Sequence, residues 1–107
     1  MQPQVINIRD APRDWRNDPK YVYIGRYHSS PRHGRIPQSK WHNPFKGERK
    51  WAVAEFTKYL LRNRELVEAL PELEGKTLLC WCKPAGPCHG DTLVWAYGYW
   101  DHLMKGV

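Results

Sequence analysis

The sequence predicts a single compact α/β domain in which a small sheet is covered by helices. Three observations carry this. Short runs rich in β-forming residues stand at residues 4–8 (QVINI), 21–24 (YVYI) and 76–82 (KTLLCWC). Apolar residues recur at three- and four-residue spacings over residues 48–63 and 91–105, the period of amphipathic helices. The order is two strands, a long loop, helices, a buried strand and a last helix, with a Rossmann-like strand-loop-helix in the C-terminal half. All 107 residues form one domain by length, enough to bury about two-thirds of the unfolded surface without a metal or disulfide staple.

Along the chain, QVINI alternates apolar and polar residues and points Val5 and one or both isoleucines inward. YVYI is closed by Gly25 and followed by Arg26: a glycine there lets backbone approach a ligand, and the arginine offers a planar charged fork. Residues 27–47 carry prolines, glycines and histidines without periodicity, which reads as a long surface loop. Its end, Trp41 to Phe45, is expected to be pinned to the body by aromatics around the Asn43-Pro44 turn.

In the helix at 48–63, Ala52, Phe56, Tyr59 and Leu60 form the inward stripe. A shorter helix over 64–70 ends at Pro71, Leu73 plugs the core, and Gly75 turns the chain into the last strand. The final helix, 91–105, has Asp91 as its N-cap candidate. Gly98 falls in its middle, which suggests close helix packing.

Formal net charge is +6, concentrated before residue 65 among many of the six Trp and six Tyr. A solvated basic surface explains such a balance; so does a polyanionic or phosphate-bearing partner. No apolar run reaches the ~20 residues of a membrane span, and MQPQVINIRD lacks the regions of a signal peptide. Three clustered cysteines are unlike a secreted disulfide framework, so a cytoplasmic location is expected.

QVINI, YIGR at residues 23–26, NPF at 43–45, the helix after it, and LEGKTLLCWCKPAGPCHGDTL at 73–93 together resemble a family of small phage and bacterial proteins, domain of unknown function 4326. The resemblance covers nearly the whole chain, and the cysteine segment is its specific part. It implies a prokaryotic or phage cytosolic setting and one small α/β domain, and brings no established activity.

Residues 76–91 gather all three cysteines at a strand-to-helix junction, and three kinds of chemistry fit them. One is a site for a nucleotide-like or other anionic ligand. Backbone N-H groups of the loop 83–90 and the helix N-terminus would hold the anion. Cys88 would be the activated thiol of a transferase or hydrolase, His89 its proton acceptor and Asp91 the orienting group. Gly25, Arg26, Asn43, Lys83 and Gly90 would complete the ligand contacts. The structural alternatives are a packing thiol, a hydrogen-bonded histidine and a helix cap.

A second is zinc held by Cys80, Cys82, Cys88 and His89, although the C-x-C spacing and the adjacent Cys-His pair fit standard zinc ligand spacing poorly. Without metal, Cys80 is expected in the core, and one of Cys80 or Cys82 pairs with Cys88 as a reversible dithiol. The third is a nucleic-acid or host-protein binding module without catalysis. Its arginines and lysines, from Arg9 to Lys50, alternate with Trp15, Tyr21, Tyr27, Trp41 and Trp51. The favoured reading places a pocket at the loops after residues 24 and 82, covered by 41–45.

Overall fold

A computed structural model describes residues 1–83 and 85–105; Pro84, in the expected ligand loop, lies outside the described residues. The strands are β1 (Gln4–Asn7), β2 (Tyr21–Tyr23), β3 (His28–Ser30), β4 (Gly34–Ile36) and β5 (Thr77–Cys80). The helices are α1 (Arg49–Arg62), α2 (Arg64–Ala69), α3 (His89–Gly98) and α4 (Trp100–Lys105). Strands β1, β5 and β2 form a parallel sheet in that order, and β3 and β4 form an antiparallel hairpin. The chain is an α/β domain.

All four residues of β5 are buried, which is why its sequence is a continuous apolar run while its neighbours alternate. Leu78 and Cys80 face one core with Val5, Val22 and Ile24, against Phe56 and Leu60 of α1 and Leu93 and Ala96 of α3. Leu79, aligned with Ile6 and Tyr23, faces a second core with Ile8, Ile36 and Trp15. Helices therefore cover one face of the sheet. The hairpin and the segment after β1 cover the other.

That second cover is where the expected loop 27–47 differs from the structure. Its strands are too short and polar (HSS, GRI) to carry a period, yet the hairpin forms around Gly34 at φ 65°. Arg16 holds it from outside by donating to the carbonyls of His33 at 2.7 Å and Arg35 at 3.0 Å. Trp41 is buried, and its segment is pinned as expected.

The last helix also differs in two respects. It begins at His89, with Cys88 as N-cap accepting from Gly90 N at 3.3 Å, and Asp91 lies inside the first turn. The chain then breaks after Gly98, where a Cβ would meet only Gln2 Nε2, 3.7 Å away, so close helix packing is not its role. Glycine is a poor helix former, and the break lets Trp100 donate its indole N-H to Val67 O at 3.0 Å, tying α4 to α2.

Gly90 is the packing glycine instead. A Cβ there would stand 2.9 Å from both Ile24 Cδ1 and Val5 Cγ1, so only glycine lets α3 start this close to the sheet. Gly90→Ala should lower stability by about 1–3 kcal/mol, the usual cost of overpacking, as read from the midpoint of urea unfolding.

Candidate functional site

The carboxyl ends of β2 and β5 open into a cavity of about 560 Å³, the position where open parallel sheets bind ligands. Its lining includes Gly25, Arg26, Tyr27 and His28 after β2, Asn43, Phe45, Lys46 and Gly47, Arg49 at the start of α1, and Cys80, Trp81 and Cys82 at the end of β5. His89 reaches it from α3.

The wall after β2 is built by hydrogen bonds. Tyr23 Oη donates to Arg26 O at 2.7 Å and accepts from Trp81 Nε1 at 2.8 Å. A Cβ on Gly25 would collide with that phenol, so the glycine makes room for Tyr23 while itself lining the cavity. Arg26 donates from Nε to Asn43 O at 2.8 Å and from Nη2 to Phe45 O at 2.7 Å. Asn43 accepts from Phe45 N at 2.9 Å and donates to Ala52 O at 3.1 Å. Arg26 thus clamps the covering segment to the end of β2 and Asn43 clamps it to α1; Arg26 lines the cavity with donors to spare.

On the cysteine side, buried Asn7 donates to Trp81 O at 3.3 Å and Lys83 O at 2.6 Å, which sets the path of the chain as it leaves the sheet. The three thiols shift one another's ionisation. Hydrogen bonds from Cys82 and then Cys88 pull Cys80 below the ordinary thiol range, while Cys80 in turn pushes Cys82 and Cys88 up. Of the three, Cys80 and Cys88 are buried; Cys82 is half-buried and lines the cavity, with Arg49 favouring its charged form.

The expected catalytic set is therefore rearranged. Cys88 is fully buried as a cap, its sulfur turned inward onto Gly90 N. His89 is buried too, with Nε2 2.7 Å from Ile24 O, so it braces β2 against α3 and is not free as a proton acceptor for Cys88. Asp91 and Lys83 pair with each other at 2.8 Å, and neither lines the cavity; nor does Gly90. For the alternative zinc set of Cys80, Cys82, Cys88 and His89, His89 turns Nε2 to Ile24 O, and no group of three or more His, Cys, Asp or Glu among the described residues is placed to hold a metal ion. All three cysteines are free thiols.

Sequence reasoning had Lys46 and Arg49 only as part of a basic binding surface, and missed Trp81 and His28. Arg49 was legible in part, since Glu48 caps α1 through Lys50 N and Trp51 N and so sets Arg49 as the first helical residue. Its side chain lies across Gly86, where a Cβ would be 2.7 Å from Nη1. His28 stacks on Trp81 with ring centroids 4.4 Å apart, a contact between distant segments that no local pattern announces.

Fold and cavity together define a small α/β protein with a basic, thiol-bearing pocket at the carboxyl ends of parallel strands. The chain belongs to the family described as "Domain of unknown function (DUF4326)", which matches residues 6–97. It is also similar to "Uncharacterized protein R718" of Acanthamoeba polyphaga mimivirus, 34% identical over 87 residues, which cover 71% of this chain and 65% of that protein. The chain thus spans less than two-thirds of that relative. No solved structure matches, and no helix among the described residues is long and apolar enough to cross a membrane.

Two outcomes follow. A small alkylating agent should label Cys82 alone in the native protein, with Cys80 and Cys88 labelled only after unfolding, as read by peptide mass spectrometry. Burial lowers the His89 pKa from its ordinary 6.5, so the unfolded chain takes up a proton there before the folded one does. Stability should therefore fall as pH drops below about 6.5, and His89→Gln should flatten that fall in urea titrations at successive pH values.

Proposed function

We propose that the pocket binds a nucleotide-like, phosphate-bearing ligand and presents the thiol of Cys82 to it. The carrying observation is the lining itself: Arg26, Lys46 and Arg49 with Tyr27, Phe45 and Trp81, around one accessible thiol and without a carboxylate among the described residues. Cations without counter-ions suit phosphate, and flat aromatic rings beside them suit a base. A cytoplasmic setting, reducing enough to keep the thiols free, belongs to the same proposal.

The Cys82 thiol supplies the nucleophile of a thiol-dependent transferase or hydrolase. The Cys82 sulfur bonds to an electrophilic centre of the ligand, its thiol proton passing through solvent to the leaving group as that group's bond breaks, and the cation of Arg49 favours the ionised sulfur. Water or a second acceptor then releases the group from sulfur.

Nucleoside mono- and diphosphates should raise the melting temperature at low salt more than nucleosides or inorganic phosphate do. Arg49→Ala should remove the shift, whereas Cys82→Ser should keep it and abolish any covalent adduct seen by intact mass. Absence of a shift with every nucleotide tried would end this reading.

A further inference from the structure

A second basic cleft, of about 480 Å³, lies on the other side of the β3–β4 hairpin and is lined by Arg13, Arg16, Arg32, His33 and Trp15 among others. Among the described residues no carboxylate lines it. The ion pairs among the described side chains are Lys40–Glu72, Lys58–Glu55, Arg64–Glu68 and Lys83–Asp91, so none of the cations of either cleft is neutralised in this way.

The wall between the two clefts is a single layer of aromatic rings. Trp81 and His28 line the first cleft and His33 lines the second; the His33 ring stands edge-on to Trp81 at 5.3 Å and 6.0 Å from His28. Arg16 is set in advance by its two carbonyl bonds and stacks over Trp15 at 5.3 Å. Desolvation first, then repulsion from Arg32, His28, Arg16 and Arg9, lowers the His33 pKa.

We infer that the ligand is a single-stranded nucleic acid, held by its phosphates at the Arg13–Arg16–Arg32 cleft and passing over the His28–Trp81–His33 ridge, so that one nucleotide enters the Cys82 pocket. This rests on the pocket reading and extends it from a nucleotide to a strand. Cations supply sequence-independent attraction, and the rings between them offer stacking to unpaired bases, which a duplex keeps hidden. An acidic peptide shares the charge and lacks the bases, and the ring layer between two basic clefts favours the nucleic acid.

The test is fluorescence anisotropy with labelled mononucleotide, single-stranded octanucleotide, the matching duplex and an oligoglutamate peptide, using wild type, Arg13→Ala/Arg32→Ala and Arg49→Ala, each checked for folding by circular dichroism. The octanucleotide should bind on the order of tenfold or more tighter than the mononucleotide. The Arg13/Arg32 double variant should erase that gain, leave mononucleotide affinity unchanged, and reduce the log–log salt slope by about 0.7 for each phosphate it no longer neutralises. No gain with length, a gain that survives the double variant, octanucleotide binding indifferent to Arg49→Ala, or equal binding of duplex or peptide would each overturn the inference. The mononucleotide arm decides the pocket reading separately: its binding and loss with Arg49→Ala stand or fall whatever the octanucleotide does.

Discussion

The amide of Asn7 bonds to the carbonyls of Trp81 and Lys83, and much of the candidate site depends on that pair of hydrogen bonds. A strand buried on both faces must leave the core at a point where its backbone still needs partners, and Asn7, at the end of the neighbouring strand, supplies them. The exit it sets directs Cys80 toward the helices and Trp81 toward the hairpin, with Cys82 beside the cavity. Reactive and aromatic groups thus reach one opening from opposite faces of the sheet.

Three thiols in contact behave differently from three thiols apart. Their mutual interaction favours ionisation of Cys80 and disfavours that of Cys82 and Cys88. Cys80 and Cys88 are buried, while Cys82 meets the cavity. Cys82 faces a cationic rim, and Arg49, whose side chain lies against Gly86 of the cysteine loop, favours the ionised form of its sulfur. Arg26 has the contrary lesson. An arginine that looks like an anion contact in sequence spends two donors on carbonyls to hold the lid segment in place.

Local pattern was sufficient where a residue's role follows from its neighbours in the chain. The apolar run of β5, the four-residue spacing of Ala52, Phe56 and Leu60, and the turn at Asn43 each answer to backbone geometry or a single face of burial. The hairpin was not legible, because strands of three residues with polar side chains have too little period to separate from a loop. The break after Gly98 was not legible either. A lone glycine permits a helix to continue, and the bond from Trp100 to Val67, across 33 residues, accompanies the end that was chosen.

By itself the sequence determined the α/β class and the family, and pointed to the end of β5 where the cavity opens, since strand and helix periods and a strand-to-helix cysteine segment are properties of consecutive residues. Tertiary structure decided which cysteine is accessible. Cys88 and His89 had the composition of a reactive pair, but the close approach of α3 to the sheet, allowed by Gly90, buries both and turns them onto Gly90 N and Ile24 O. Accessibility depends on what packs over a side chain, and here that was supplied by segments far away in the chain.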